Sequence, residues 1–506
     1  MKNKLWTFIA GLILLLPLTL SSFVASTQAF AADTSTVNVT LHKRVFDEGQ
    51  LPADKQNTGE VTTDFGGMPL AGVTFTAYDV TDQYLTFRGS GDTAQQAIAK
   101  IQAASTDGAP AYATMLSSGV TTAPDGTYTF MNLALKDGNK DKVYLFLETD
   151  SPTNVTAKAA PIVLAMPIYA NGSDTQINTN IHVYPKNEKA DPIVKDLTDQ
   201  SKLDLTVTLP DGSKIFNAAY GQTFGYTIQV AVPWNIKDKD TFTVVDTPDL
   251  GIDINTASVA VAGLVKGTDY TVAANQPAGK GLGYKITFDT SSAAVRAQAG
   301  KKLMITYQAV LTNAATPDTG LNNTASLAIG NGTDLTTTDT PGPVIYTGGA
   351  KFIKEDKQSA AKLAGAEFKL VRVNASGDIV AYATQAADGS YTWNAAAAGA
   401  TVYTSDAAGM LSLKGLAYSA KLAAGESYAL LETKAPTGYA LLTAPVKFTV
   451  TQGSYGDRNT ITIVNIQKGI LPATGGSGIV IFLVIGSILM ASAYLWNKKR
   501  QDQTEI

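Results

Sequence analysis

Cysteine is missing from the 506 residues, so disulfides, a thiol nucleophile and thiolate-bound zinc are all excluded. Histidine is nearly missing. His42 and His182 are the only two, which leaves little room for a histidine-based metal or catalytic site. A surplus of charge is missing too: a net −4 over this length offers no basic face, and nucleic acid is excluded as a partner. No phosphate-binding loop, serine–histidine–acid pattern or metal-ligand spacing is present. The sequence therefore calls for no cofactor, no metal and no enzyme activity.

What the chain does have begins at its ends. Met1-Lys2-Asn3-Lys4 precedes an apolar run from Leu5 to about Leu20, and Ala29-Phe30-Ala31 follows. A basic start, an apolar stretch and small residues two apart predict a secretory signal peptide over 1–31, cleaved after Ala31. At the other end stand Leu471-Pro472-Ala473-Thr474-Gly475, an apolar span 478–496, and a tail 497–506 carrying Lys498-Lys499-Arg500. A span of that length can cross a bilayer core as a helix, and the basic cluster holds the tail on the cytoplasmic side. An exported chain without cysteine must find its staples outside disulfide chemistry.

Between the ends, Thr, Val, Tyr and Ile alternate with polar residues in short runs. Val37-Asn38-Val39-Thr40-Leu41 and Val446-Lys447-Phe448-Thr449-Val450 are examples, and Asp-Gly, Asn-Gly and Gly-Gly punctuate them. The pattern predicts an all-β chain of tandem immunoglobulin-like β-sandwich domains. One helical insertion is expected from Asp92 to Ala104, with Ala97, Ile98 and Ile101 on one face and Asp92 as its cap.

An internal repeat sets the organisation. Tyr144 to Pro152 matches Tyr428 to Pro436, Leu70 to Phe75 matches Leu363 to Phe368, and Gly126 to Leu133 matches Gly409 to Leu416. Three matches in one order mean two copies of one domain type, the first carrying insertions. The stretch between them lacks these signatures and reads as a different sandwich. Joints at Tyr184-Pro185 and Pro341-Gly342-Pro343 give an N-terminal domain over 32–187, a middle domain over 188–345 and a C-terminal domain over 346–469.

The order of pentapeptide, apolar span and basic tail resembles the LPXTG cell-wall sorting signal of Gram-positive bacteria. That resemblance implies sortase cleavage between Thr474 and Gly475, an acyl-enzyme thioester on Thr474, and a transmembrane helix that tethers only the precursor. Leu363-Ala364-Gly365-Ala366 and the E-box Glu432-Thr433-Lys434-Ala435-Pro436-Thr437-Gly438-Tyr439 resemble the Cna-B-type domain of sortase-assembled pilins. Ile181-His182-Val183-Tyr184-Pro185-Lys186-Asn187 resembles the pilin motif of major, shaft-forming Spa-type subunits. Where the family often has Trp four residues before the motif's first aliphatic position, this chain has Ile177. The resemblance spans the whole chain. It implies Cna-A- and Cna-B-type sandwiches and a wall-anchored pilus on the cell surface. The implied partners are a sortase, other copies of the chain, minor pilins, peptidoglycan and host surface ligands.

In that family the motif lysine attacks the sortase-bound threonine of another subunit, which is the role implied for Lys186 beside Tyr184 and Pro185. Its place after proline at a domain joint predicts an exposed amine. Pilin sandwiches resembling this one also form lysine–asparagine isopeptide bonds between first and last strands, promoted by a nearby carboxyl group. Burial disfavours the charged forms, leaving an amine able to attack and an acid able to polarise the amide. Adjacency removes most of the encounter cost.

Strand parity then selects the residues, because a buried lysine shares its face with apolar neighbours. Lys354 does so with Phe352, and Asn465 with Ile461 and Ile463; Glu432 completes that trio through the E-box. Lys195 shares a face with Ile193 and Leu197, and Asn323 with Ala325 and Leu327; Asp246 is the acid expected there. Lys43 shares parity with Val37, Val39 and Leu41, and Glu148 holds the E-box position. The partner considered for Lys43, Asn180, falls one step out of parity with Ile181 and Val183, on the polar face.

Two functions compete on these features. One is a structural shaft pilin, polymerised head to tail through Lys186 and Thr474. The other is a wall-anchored adhesin that stays monomeric; it would share the sorting signal but has no need of Tyr184-Pro185-Lys186.

Overall fold

A computed structural model describes residues 35–53, 57–469 and 478–501. The signal-peptide segment, the pentapeptide Leu471 to Gly475 and the last residues of the tail lie outside the described residues. The described chain packs as two compact units. One runs to Gly348 and includes the short segments 386–391 and 414–420; the other holds the remainder from Gly349 onward.

The first unit opens with an alternating strand, Thr36–His42, whose odd-numbered residues Val37, Val39 and Leu41 are buried. It lies between Asn180–Val183, to which it runs parallel, and Thr127–Ala134, to which it runs antiparallel. A second sheet orders Val155–Ala157, Lys186–Lys189, Arg44–Asp47 and Met68–Pro69. A third orders Ile162–Ala165, Val143–Asp150, Thr74–Asp79 and Thr114–Val120. Parity explains why Val143–Asp150 is buried on both faces. Tyr144 and Phe146 join Val39, Phe75, Phe130 and Ile181 in the sandwich core. Val143, Leu145 and Leu147 instead meet Val80, Ile101 and Val163 on the other face.

That other face is covered by two helices, Thr81–Gly89 and Ala94–Ala104. The second corresponds to the expected insertion and buries Ala97 and Ile101, but its cap is Thr93 and not Asp92. Thr93 has extended backbone and closes a capping box: its hydroxyl accepts from Gln96 N–H, and Gln96 Oε1 accepts from Thr93 N–H. Asp92, one residue too early, instead pairs with Lys100 at 2.6 Å. The first helix goes unpredicted by the sequence pattern. It buries only Thr81, so it carries no apolar stripe to read.

The same unit contains a second sandwich. Its four-stranded sheet orders Ile193–Leu197, Thr223–Ala231, Lys302–Leu311 and Ile252–Val261. The facing five-stranded sheet orders Tyr270–Asn275, Gly283–Phe288, Thr241–Pro248, Asn323–Asn331 and Asp334–Pro341. Their inward residues, among them Tyr226, Ile228, Phe242, Val244, Tyr284 and Ile305, form one core of fully buried side chains. Burial of large apolar surface between two antiparallel sheets is the stabilising term such a layer pair relies on.

In the second unit, Gly348–Asp356 lies between Met410–Leu416 and the final strand Ile461–Asn465, to which it is parallel. A facing sheet is built on Glu367–Val373 and Ser427–Lys434. The chain is thus all-β and immunoglobulin-like through its sandwiches. The apolar end segment is a helix, Gly478–Gln501, long and apolar enough to cross a membrane, with Lys498, Lys499 and Arg500 in its last turn.

Candidate functional site

Lysine is rarely buried without a partner. Here Lys43, Lys195 and Lys354 are 0%, 6% and 2% exposed, and each stands in a sandwich core beside a carboxyl group and an asparagine.

The repeat shows how the sequence builds two of these places. Lys43 donates its backbone N–H to Gly126 O at 2.8 Å, and its carbonyl accepts from Leu70 N–H at 3.1 Å. Lys354 repeats both contacts with Gly409 O at 2.7 Å and Leu363 N–H at 2.9 Å. Both glycines have positive φ, and a Cβ on either would stand 2.6 Å from neighbouring backbone, so no other residue fits. On the facing sheet, Glu148 stands opposite Phe75 and Glu432 opposite Phe368, each just past a bulge in the pairing. Each lysine amine lies over the ring of that phenylalanine, at 5.5 Å and 5.4 Å from its centre. The three matched sequence stretches therefore converge on one lysine and one glutamate in each copy.

In the N-terminal cluster Lys43 Nζ lies 2.8 Å from Glu148 Oε2 and donates also to Asn187 Oδ1. Asn187 Nδ2 donates to Glu148 Oε1 at 2.7 Å, closing a triangle of amine, amide and acid. Sequence reasoning misses Asn187. Asn180, the residue it weighs instead, is exposed and accepts from Asn38. The signal is present all the same: Asn187 continues the parity of Ile181 and Val183. Pro185 looks like the end of the strand. Proline lacks only the donor, however, and its carbonyl still accepts from Arg44 N–H at 3.0 Å, so pairing resumes over Lys186–Lys189.

In the C-terminal cluster Lys354 Nζ is 3.1 Å from Glu432 Oε1. Asn465 Nδ2 donates to Glu432 Oε2 at 3.0 Å and to Ala440 O at 2.6 Å, while Leu442 N–H holds the same carboxylate oxygen at 2.8 Å. The middle cluster joins two sheets. Lys195 pairs with Asp246 from the facing sheet, and Asp246 Oδ2 accepts from Tyr307 Oη at 2.8 Å. Asn323 Nδ2 in turn donates to Tyr307 Oη at 3.1 Å. Tyr307 is a second residue that sequence reasoning misses, although parity along Leu303, Ile305 and Tyr307 places it on the buried face.

Burial sets the electrostatics. It pulls the Lys43 and Lys354 amines below the ordinary lysine range, against the opposing pull of their glutamates. Burial likewise brings Lys195 down to about 8 and pushes the Asp246 carboxyl up, with each charge partly restraining the other's shift. A buried ion pair of this kind is costly, and an amide in its place would remove both charges. An amine losing its proton, an acid able to take one, and an amide within reach are the parts needed for amide exchange with loss of ammonia.

Lys186 belongs to a different environment. Parity turns it away from Asn187, and it is half-buried, not exposed as expected, because it lies within a paired strand opposite Arg44. Its amine donates to Pro52 O at 3.3 Å. Tyr184 beside it is buried: its hydroxyl accepts from Thr62 N–H at 2.6 Å, and its ring stacks between His42 and Phe65. The strand Lys186–Lys189 also runs across the joint expected at 187/188.

Tandem immunoglobulin-like sandwiches, each with a buried lysine, carboxyl group and asparagine gathered in its core, define a class of all-β structural proteins. Residues 34–188 match the Gram-positive pilin subunit D1, N-terminal domain, and residues 348–466 match the SpaA prealbumin-like fold domain, together more than half of the chain. The fimbrial subunit type 2 of Actinomyces naeslundii is 26% identical over 564 aligned positions, covering 97% of each chain. The fimbrial subunit type 1 of Actinomyces viscosus is 27% identical over 441 positions, covering 75% of this chain and 76% of its own. Among solved structures, the full-length RrgB pilus protein of Streptococcus pneumoniae shares the fold, with a TM-score of 0.53 at 18% identity over 88% of this chain and all of that one. The chain belongs to the Gram-positive pilin subunits: it is a structural, cell-surface subunit that associates with others in a fibre, and not an enzyme.

Proposed function

We propose that this subunit forms the pilus shaft, joined covalently by a sortase from Lys186 of one copy to Thr474 of the next, and that the fibre is anchored to peptidoglycan. The observation that carries this reading is the placement of Lys186. It lies on the outward face of its strand, in a chain that also carries the sorting pentapeptide. The three buried clusters support a second covalent layer, in which Lys43 joins Asn187, Lys195 joins Asn323 and Lys354 joins Asn465. Glu148, Asp246 and Glu432 each act once, on their own chain. A fibre under tension loads the first and last strands of every sandwich, and amide staples there resist shear where hydrogen-bond ladders alone would slip. The membrane helix holds the precursor until cleavage, and minor pilins and host surface ligands are the further partners of such a fibre.

The test is a denaturing gel of cell-wall extracts. The wild type should give a ladder of high-mass species, and Lys186→Ala should abolish it. The variant should fold, since the hydrogen bond from a half-buried lysine to a backbone carbonyl contributes about 1.5–3 kcal/mol, less than the stability of an ordinary domain. Ladders persisting in that variant would remove Lys186 from its role.

A further inference from the structure

The middle cluster differs from the other two in its acid and in what stands next to it. Glu148 and Glu432 reach their asparagine nitrogens directly, at 2.7 Å and 3.0 Å. Asp246 is one methylene shorter, and a phenol occupies the intervening place. Tyr307 Oη donates to Asp246 Oδ2 at 2.8 Å and accepts from Asn323 Nδ2 at 3.1 Å, so one oxygen touches both the acid and the nitrogen that would leave. Tyr307 is 2% exposed, and its ring is fixed by stacking on Tyr226 at 5.5 Å and an edge contact with Tyr284 at 5.1 Å. Asn323 Oδ1 is buried and has no hydrogen-bond partner among the described residues, so the amide is held through its nitrogen.

We propose that Tyr307 is a catalytic residue of the Lys195–Asn323 cross-link, relaying the proton of Asp246 to the departing nitrogen of Asn323. The inference rests on the cross-link reading given above. Lys195 passes a proton to Asp246 within their pair, and the neutral amine attacks Cγ of Asn323. In the tetrahedral adduct Nδ2 carries a free lone pair, and with Asp246 protonated the two hydrogen bonds reverse: the Asp246 proton moves to Tyr307 Oη as the Tyr307 hydroxyl proton moves to Nδ2. The Cγ–Nδ2 bond breaks, ammonia leaves, and the attacking nitrogen returns its extra proton to Asp246. Amine and primary amide become a secondary amide and ammonia, with no oxidant or reductant. Burial and the charge of Asp246 hold the Tyr307 phenol well above its ordinary range, so it conducts a proton in one exchange without resting as the phenolate. Asn323 also bears on Asp246 itself, which gives a competing direct route that the test must separate.

The full chain, refolded from inclusion bodies, is sampled over time by mass spectrometry of the peptides spanning Lys195 and Asn323. Tyr307→Phe keeps the ring and should slow this bond by about a hundredfold, the size of one general acid's contribution. Tyr226→Phe, whose hydroxyl has no partner among the described residues, should match the wild type. A Tyr307→Phe chain that folds and cross-links at the wild-type rate overturns the relay and leaves the cross-link reading standing. A wild-type chain that never loses ammonia at this site overturns the cross-link reading itself. Should Tyr307→Phe fail to fold, a fluorinated tyrosine at position 307 replaces it: a changed rate upholds the relay, and an unchanged rate overturns it.

Discussion

Lys43 and Asn187 meet across a parallel strand pair with an offset of two residues: Asn187 stands opposite Val45, and its Oδ1 accepts from the Lys43 amine. The same offset separates Lys354 from Asn465, which stands opposite Asp356. An offset of two keeps both side chains on one face of the sheet, and the buried glutamate of the facing sheet completes each group.

The mature chain should therefore weigh less than its sequence mass by three ammonia, one for each cluster. Asn187→Ala should restore one of them, and Asn180→Ala none. Intact mass measured on both variants decides the matter; an unchanged mass in Asn187→Ala would sink the N-terminal cross-link.

Glu432→Ala should restore one ammonia as well, because no acid then serves the Lys354–Asn465 pair. It should also lower stability. The bond closes a loop of more than a hundred residues, and by analogy with a disulfide of that span its entropic contribution is on the order of 4–5 kcal/mol. Calorimetry of the C-terminal transition checks this, and a melting point equal to the wild type would contradict it.

The rate of the Lys195–Asn323 bond should depend on pH in one direction near neutrality. The reactive form of the Lys195–Asp246 pair holds one shared proton. Lys195 is brought down to about 8, so above that pH the shared proton is lost to solvent and the departing nitrogen has no donor. Refolding the chain at a series of pH values should show a rate falling by about tenfold per pH unit above 8. A rate that climbs through this range would mean that the free amine alone limits the reaction.

Replacing Thr474, or deleting Leu471 to Gly475, should leave the protein in the membrane fraction, held by the helix Gly478–Gln501. Fractionation of cells expressing the variant reads this directly. Release into the wall fraction at the normal level would contradict the sorting-signal reading.

Most of the clustered residues are legible in the sequence. Parity selects Lys43, Lys195 and Lys354 as inward lysines, since Val39 and Leu41, Ile193 and Leu197, and Phe352 share their faces. It also places Asn323 and Asn465 inward, and the repeat brings Glu148 and Glu432 to equivalent positions. Asn187 escapes because Pro185 looks like a stop. Tyr307 escapes because a tyrosine on an apolar face looks like packing until its hydroxyl is seen between Asp246 and Asn323. The sequence overstates the exposure of Lys186 for the same reason that it hides Asn187, since one strand carries both.

By itself the sequence determined which side chains point inward, because the two-residue period of a strand is a local property of the backbone. It also determined the repeat, a helix ending at Ala104 (though not its Thr93 cap) and the apolar end segment, each of which is written in consecutive residues. Only the tertiary structure decided that Lys43 meets Asn187. Lys43 and Asn187 are 144 residues apart, and their meeting depends on the register of a parallel pair that no local pattern encodes. Lys195 and Asn323 lie in facing sheets, so their approach is fixed by how two layers stack, with Asp246 and Tyr307 filling the gap between them.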